Sequence, residues 1–112
     1  MKESKMIIAP YGATKKIVKI PTVIYFEAIT NGSNVHTDSD IIVTDYTLKY
    51  WYQIVDKNSF IFANRSVLLC MRRIKSISEN CVQMDNGAEI IVSRRRKQQF
   101  LDDLYQFAST QR

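Results

Sequence analysis

The feature that most constrains the fold is a two-residue hydrophobic periodicity, which recurs in short segments along most of the chain. Residues 23–29 concentrate β-branched and aromatic side chains, a composition typical of a β-strand. Similar short runs lie at residues 6–9, 15–20, 35–37, 40–43, 60–62, 67–69, 74–78, 81–84 and 89–92. Because turn-forming residues separate these runs, the sequence predicts a mostly β domain of many short strands with a small α content.

Turn signals indicate how the predicted strands are connected. The pair Asn86-Gly87 offers two residues that tolerate positive φ, and it therefore predicts a type I′ turn that joins 81–84 to 89–92 as a hairpin. The polar segment Thr30–Asn34 contains a second Asn-Gly pair. It predicts a loop after the strand at 23–29.

Two segments have helical periodicity instead. Apolar residues at i, i+3, i+4 and i+7 predict a short inner helix with the stripe Leu48, Trp51, Tyr52 and Val55. Thr44 or Asp45 is the predicted N-cap of that helix, because a side-chain oxygen there can accept from a free amide. A second stripe predicts a C-terminal helix and consists of Phe100, Leu104, Phe107 and Ala108. Ser93 is its predicted N-cap, and Arg94–Lys97 fill its first turn.

Length and composition limit the class of protein. The chain of 112 residues has the size of one domain, predicted to span 1–112. No apolar run approaches the roughly 18 residues of a membrane-spanning helix, and the first ten residues lack the apolar core of a signal peptide. We therefore expect a soluble, cytoplasmic protein without a membrane partner. Cys70 and Cys81 are expected to be small buried side chains rather than a disulfide or zinc ligands.

The sequence contains few residues or motifs that would indicate an enzyme. His36 is the only histidine, and no acid–base partner or nucleophile is indicated beside it. Gly-rich phosphate loops and hydrolase motifs are absent from the sequence. Asp38, Asp40 and Asp45 are spaced loosely like a calcium loop, but the required Gly and closing Glu do not follow. We expect no catalytic activity, no cofactor and no metal.

Charge is distributed unevenly, and this favours an anionic partner. The net charge is +5; residues 65–97 carry eight basic and three acidic residues, whereas residues 20–64 carry two basic and five acidic ones. Arg94–Lys97 stand at the predicted start of a helix, where the macrodipole is positive and cations are unfavourable. Such a cluster could hold an anion with its side chains and with free backbone amides together. The alternative is an ordinary solvated basic run.

Side chains suited to DNA readout lie at the breaks between predicted strands. Arginine pairs with guanine and asparagine with adenine in the major groove, and such residues occur at Asn31, Asn34, Asn64, Arg65 and Arg94–Lys97. Neither predicted helix is basic along its length, so a recognition helix does not fit. The pattern therefore favours readout of duplex DNA by loops.

These residues belong to a pattern that resembles the LytTR family of DNA-binding domains. The matching segments are IYFEA at 24–28, LKYW at 48–51, FIFANRSVLL at 60–69, IKSI at 74–77 and NGAEIIVSRRRKQQF at 86–100. The resemblance spans about residues 16–104. Its most specific parts are the Arg65-Ser66 pair and the Ser93-Arg94-Arg95 segment.

The resemblance implies both a fold and a function. LytTR domains are mostly β, an elongated arrangement of about ten short strands in small sheets, and here one short inner helix and a C-terminal helix would accompany them. They bind double-stranded DNA as bacterial transcription regulators of two-component and quorum-sensing systems, and their loops enter successive major grooves. The implied partners are promoter DNA, in some cases as direct repeats with self-association on DNA, and a receiver domain or sensor protein. No receiver domain is present in this sequence, and Met1 favours a freestanding regulator.

Carried onto this sequence, the resemblance implies three DNA-contacting loops. The first would be Thr30–Asn34 with Ser33 or Asn34 at its tip. The others would be Asn64-Arg65-Ser66 and the start of the last helix. The residues expected to contact DNA are Ser33, Asn34, Asn64, Arg65, Ser66, Arg94, Arg95, Arg96 and Lys97.

Three positions depart from the family pattern. The family commonly has Arg where Phe62 stands, His where Asn64 stands and Asn where Cys70 stands. Phe62 and Cys70 replace polar residues, and exposed apolar residues beside a basic loop would favour a second hypothesis, a protein-interaction module with degenerate, non-specific DNA binding. Sequence-specific DNA binding is the leading hypothesis.

Overall fold

A computed structural model describes residues 5–110. Ten strands and two α-helices follow one another along these residues. They are β1 (Met6–Tyr11), β2 (Thr14–Lys19), β3 (Val23–Ile29), β4 (Gly32–Thr37), β5 (Ile41–Thr44), α1 (Leu48–Ile54), β6 (Phe60–Asn64), β7 (Val67–Cys70), β8 (Ile74–Ile77), β9 (Cys81–Met84), β10 (Glu89–Ile91) and α2 (Lys97–Thr110). The mostly β fold with an inner and a C-terminal helix is confirmed.

The strands form three antiparallel sheets. β1 and β2 make a hairpin, a five-stranded sheet has the order β5-β4-β3-β7-β6, and a three-stranded sheet has the order β10-β9-β8. The molecule measures 41 × 32 × 24 Å along its principal axes, so it is elongated as expected. The five-stranded sheet is central, because the hairpin packs on one of its hydrophobic faces and the three-stranded sheet packs on the other.

The core consists of two apolar clusters, one on each face of the five-stranded sheet. On the first face, Phe26 stacks on Trp51 with ring centroids 4.6 Å apart, and Ala9 and Val18 of the hairpin pack into the same cluster. On the second face, residues of the three-stranded sheet join Phe100 of α2. The hairpin and α1 therefore cover one face, while the three-stranded sheet and α2 cover the other.

The inner helix begins later than the sequence predicts. Its N-cap is Thr47, whose hydroxyl accepts a hydrogen bond of 3.2 Å from the Tyr50 amide. The prediction of Thr44 or Asp45 as the cap is wrong, because both side chains are used elsewhere. Thr44 is buried in β5 beside Ser33, and the carboxylate of Asp45 accepts from the Gly12 amide at 2.8 Å.

The hairpin predicted at Asn86-Gly87 is confirmed, but its turn type is different. β9 and β10 pair antiparallel, and the Met84 amide donates to the Ala88 carbonyl oxygen at 2.8 Å. Only Gly87, at φ 93°, has positive φ, whereas a type I′ turn needs it at two successive residues. The loop therefore has three residues and ends in a left-handed glycine.

One arginine connects the two larger sheets. Arg73, in a short 3₁₀ turn after β7, donates through Nε to Asp85 at 2.6 Å and through Nη2 to both Asp85 and Asp38. Its side chain is only 17% exposed. Hydrogen bonding to Asp85, together with Asp38, raises the pKa of Arg73, so the guanidinium stays charged. This contact fixes the β9–β10 turn against the β4–β5 turn.

Neither helix within residues 5–110 has the length and apolar content needed to span a membrane.

Candidate nucleic-acid interface

Three chain connections lie along one end of the five-stranded sheet. β3 leads into the turn Thr30–Asn31, β6 leads into the turn Arg65–Ser66, and β10 leads into the segment Ser93–Arg96. We call these three connections the loop rim. They carry most of the basic cluster that the sequence places at strand breaks.

Backbone hydrogen bonds hold the three parts of the loop rim together. The Ala28 amide donates to the Ser66 carbonyl oxygen at 2.9 Å, which sets the first turn beside the second. The Ser93 amide donates to the Ala63 carbonyl oxygen, also at 2.9 Å. The third segment therefore lies beside the end of β6, next to the turn that contains Arg65.

The first turn is shorter than predicted, and this moves two of the predicted contact residues. β4 begins at Gly32, which pairs with Ile29, so that Thr30 and Asn31 alone form the tip. The prediction that Ser33 or Asn34 lies at the tip is wrong, since both lie within β4. Asn31 adopts φ 60°, a left-handed conformation that asparagine tolerates better than most residues.

The glycine of this Asn-Gly pair is needed for packing. A Cβ on Gly32 would lie 2.2 Å from the Thr44 carbonyl oxygen, whereas Gly32 itself has no positive φ. Close approach of β5 therefore explains the glycine. The alternation of β4 could have revealed that Ser33 is buried, because Ser33 falls on the same face as buried Val35.

Ser33 is fully buried and serves the core. The indole Nε1 of Trp51 donates to its Oγ at 2.9 Å, and that Oγ donates to the Tyr46 carbonyl oxygen at 2.7 Å. Thr44 Oγ1 lies 3.1 Å away. The side chain of Ser33 is therefore occupied within the fold. Asn34 is half-buried on the opposite face of β4.

Asn64 organises the second turn. Its Oδ1 accepts from the Ser66 amide at 2.8 Å, and its Nδ2 donates to the Ile91 carbonyl oxygen at 2.6 Å. The first contact closes a small turn around Arg65. The second ties that turn to β10, so Asn64 sets the position of Arg65 relative to the third segment.

The third segment differs from the predicted helix start. Arg94–Arg96 form a 3₁₀ turn, and α2 begins only at Lys97. The prediction of Ser93 as a side-chain cap is wrong, because its hydroxyl makes no cap hydrogen bond. Its Oγ is buried without a partner among residues 5–110. The arginines thus precede α2, and the amides of Arg96 and Lys97 already donate to the carbonyl oxygens of Ser93 and Arg94 in this turn.

The arginines of the loop rim differ in their surroundings. Arg65, Arg94 and Arg95 are exposed, and no acceptor from the described part of the chain engages their guanidinium groups. Arg96 instead lies over the Phe62 ring, 5.4 Å from its centroid. Lys97 is half-buried and lines a small cavity of about 160 Å³ beside Phe100. Three guanidinium groups therefore remain available to an anion.

The departures from the family pattern do not create an exposed apolar surface. Phe62 is half-buried between Arg96 and Tyr52, with the Tyr52 ring centroid 5.1 Å away. Cys70 is completely buried, and burial raises the pKa of its thiol. Cys81 is half-buried rather than buried as predicted, with Sγ 3.3 Å from Ser78 Oγ. The hypothesis of a protein-interaction module loses the observation that motivated it.

The opposite end of the five-stranded sheet carries acidic side chains in two of its connections. The β4–β5 connection there contains Asp38 and Asp40, and the α1–β6 connection contains Asp56. All three side chains are exposed. The carboxylates of these two connections therefore lie away from the loop rim, although Arg72 and Arg73 lie at the same end of the sheet and Arg73 pairs with Asp38.

The family is decided by a comparison with known domains. The profile of the LytTr DNA-binding domain matches residues 14–104. This chain belongs to the LytTR family. Among solved structures, the LytTr DNA-binding domain of a Bacillus cereus protein described as a methyl-accepting/DNA response regulator superposes with a TM-score of 0.78. It is 24% identical and covers 88% of this chain and 95% of its own. No curated protein sequence matches significantly.

Membership of the LytTR family supports DNA binding in the regulation of transcription. The match includes the whole loop rim. LytTR is a family of DNA-binding domains rather than enzymes.

Proposed function

We propose that this LytTR domain binds a specific sequence of double-stranded DNA, in transcription regulation, by presenting the loop rim to successive major grooves. The observation that carries the proposal is that Arg65, Arg94 and Arg95 are exposed on turns held together by backbone hydrogen bonds, and that no acceptor among residues 5–110 engages their guanidinium groups. Arginine is the side chain best suited to guanine, because its two donors match O6 and N7.

The roles of the rim residues follow from their surroundings. Arg65 and Arg95 read base edges, and Arg94 binds phosphate. Arg96 and Lys97 add positive charge near the phosphate backbone of the DNA. Asn31 stands at the tip of the first turn and replaces Ser33 as the group that meets DNA there.

In this proposal, Asn64 and Ser66 support the turn that carries Arg65. Asn64 positions Arg65, since both ends of its amide are already bonded within the fold. Ser66 contributes its backbone to the turn and leaves its exposed hydroxyl for a phosphate. Asn34 lies three residues beyond the tip and contacts DNA only if the first turn enters the groove deeply.

The proposal is tested by selecting duplexes from a random pool with the purified domain, and then measuring fluorescence anisotropy with the enriched duplex. Arg95→Ala should weaken specific binding by about 1–3 kcal/mol if Arg95 makes a bidentate contact with guanine. With four or five phosphate contacts, the plot of log K against log salt should have a slope of about −4.

Arg72 supplies a matched control. It is exposed and lies after β7, at the end of the sheet opposite the loop rim, so Arg72→Ala removes the same charge without removing a rim contact. The proposal is contradicted if the double variant Arg65→Ala with Arg95→Ala binds as tightly as the unmodified chain, or if Arg72→Ala weakens binding equally. Failure to enrich any motif would leave only non-specific binding.

A further inference from the structure

The β1–β2 hairpin brings a fourth connection to the end of the molecule that carries the loop rim. The Gly12 amide donates to the Asp45 carboxylate at 2.8 Å, and the Asp45 amide donates to the Pro10 carbonyl oxygen, also at 2.8 Å. Asp45 directly follows β5, and its Cα would lie 3.2 Å from a Cβ on Gly32, next to the first turn. The turn of the hairpin therefore lies close to the first turn of the loop rim.

This part of the hairpin is basic. We call residues 11–16 the hairpin tip. Residues 5–19 contain four lysines and no acidic residue, and two of these lysines, Lys15 and Lys16, belong to the hairpin tip. Lys15 is exposed, and its ammonium group has no hydrogen-bond or ion-pair partner among the residues that the structure describes. Lys15 is therefore available to an anion.

The other polar groups of the hairpin tip are held in place. Lys16 Nζ donates to the Val43 carbonyl oxygen of β5 at 3.3 Å and lies 4.7 Å from the centroid of the Tyr11 ring. The carboxylate of Asp45 accepts from the Gly12 amide. Two ammonium groups therefore stand against one carboxylate, so the hairpin tip keeps a positive charge at a fixed position beside β5.

The hairpin tip and the third segment of the loop rim lie off opposite faces of the sheet that carries the first turn. The hairpin packs on the first face of the five-stranded sheet, whereas the three-stranded sheet that leads into the third segment packs on the second face. Packed layers lie about 10 Å apart. A turn centred in a major groove about 12 Å wide has phosphates about 6 Å to each side. An element about 10 Å to one side of the first turn therefore lies beyond the base edges, within reach of the phosphate backbone.

We propose that the hairpin tip forms a fourth contact with DNA, in which Lys15 binds the phosphate backbone that flanks the groove entered by the first turn. Lysine suits this role, because its ammonium group on a flexible stem binds phosphate as a point charge. Such a contact fixes the orientation of the domain on the duplex and reads no bases. The inference rests on the proposed binding by the loop rim, and it places the additional contact on one flank of the site only.

Removal of the contact should weaken binding in a way that depends on salt. Lys15→Gln removes the charge and keeps most of the stem. The loss of one phosphate contact should reduce the magnitude of the slope of log K against log salt by about 0.9. Fluorescence anisotropy should therefore show that the ratio of unmodified to variant affinity falls about 3.5-fold between about 50 and 200 mM salt.

Lys19 supplies a matched control on the same strand. It is exposed and lies on the same outward face of β2 as Lys15, four residues and about 13 Å farther from the turn. Lys19→Gln should leave both the affinity and the salt slope unchanged, whereas Lys15→Arg keeps the charge and should bind like the unmodified chain. Equal melting temperatures of these variants would show that any loss of affinity reflects a lost contact rather than a lost fold.

The position of the contact is tested by shortening the selected duplex at one flank and then at the other. Trimming the flank beneath the hairpin tip should reduce the affinity of the unmodified chain to about that of Lys15→Gln, and Lys15→Gln should lose nothing further. Trimming the other flank should leave the difference between the two proteins unchanged. Changing the base pairs of the first flank without shortening it should have no effect, because the contact is with phosphate.

The inference is overturned if Lys15→Gln keeps the affinity and salt slope of the unmodified chain, or if Lys19→Gln weakens binding equally. It is also overturned if the difference between Lys15→Gln and the unmodified chain persists when both flanks are trimmed. Each of these results leaves the proposed function intact, provided that Arg65→Ala with Arg95→Ala still weakens binding. Specific binding that depends on neither arginine would instead refute the proposed function.

Discussion

The substitution Ser33→Ala separates a core role from a DNA-contacting role at a position that sequence comparison places in a binding loop. Ser33 Oγ accepts from Trp51 Nε1 at 2.9 Å and donates to the Tyr46 carbonyl oxygen at 2.7 Å. Trp51 is fully buried, as is Ser33 itself. Alanine would fit in the space but would leave the indole N–H without that acceptor.

The expected loss of stability follows from this geometry. A buried donor left without an acceptor costs about 1–3 kcal/mol. For a chain of this length, each kcal/mol shifts the melting temperature by about 4 °C. Ser33→Ala should therefore lower the melting temperature by about 4–12 °C in calorimetry or circular dichroism. Well below that temperature, its affinity for the selected duplex should equal that of the unmodified chain.

Ser66→Ala is the matched control at the loop rim. Ser66 is exposed, and its hydroxyl has no hydrogen-bond partner among the residues that the structure describes, so its melting temperature should stay within about 2 °C of the unmodified value. The reasoning is refuted if Ser33→Ala leaves the melting temperature unchanged while it weakens specific DNA binding.

Further predictions concern three other residues. Gly32→Ala should destabilise the domain by more than about 2 kcal/mol, because its Cβ would lie 2.2 Å from the Thr44 carbonyl oxygen; urea titration would measure this, and an unchanged midpoint would contradict it. Arg73→Ala should cost about 1–2 kcal/mol through the loss of its two carboxylate partners, and a cost that does not shrink at high salt would argue against an ionic contribution. Burial and the nearby Glu27 raise the pKa of Tyr25, so its contribution to stability is complete below pH 10 and is lost as the pH rises through the raised pKa; Tyr25→Phe should flatten that alkaline decline in thermal melts, and an identical decline in both proteins would contradict the assignment.

Elements with strong local signals could be predicted from the sequence. The strand at Val23–Ile29 is confirmed because β-branched and aromatic residues have few alternatives to a half-buried sheet. The hairpin at Asn86-Gly87 is confirmed because a left-handed glycine closes it. The arginines after β10 are also found at a strand end, as their position beyond the last apolar run indicates.

The predictions that failed depend on tertiary contacts. The polar residues after Ile29 suggest a long loop, yet Ser33 is buried because Trp51 and Tyr46 supply hydrogen-bond partners from another element. Thr44 and Thr47 are equally good caps in isolation. Only the course of β5 decides between them, since it buries Thr44.

The composition of the loop rim could be predicted in part. The sequence places Arg65 and Arg94–Arg96 at breaks between strands, but their proximity depends on the Ser93 amide reaching the Ala63 carbonyl oxygen. That contact joins strands distant in sequence and leaves no local signal. The role of Asn64 in holding the two segments together is likewise visible only in the fold.

The central claim is that duplex DNA meets the loop rim, and an NMR titration with the selected duplex tests it most directly. The chemical shifts of the backbone amides should change most at Thr30–Asn31, Arg65–Ser66 and Arg94–Arg96. The chemical shifts of the amides around Asp38, Asp40 and Asp56 should stay unchanged. Chemical-shift changes concentrated around Asp38, Asp40 and Asp56, with no change at the three turns of the loop rim, would contradict the account.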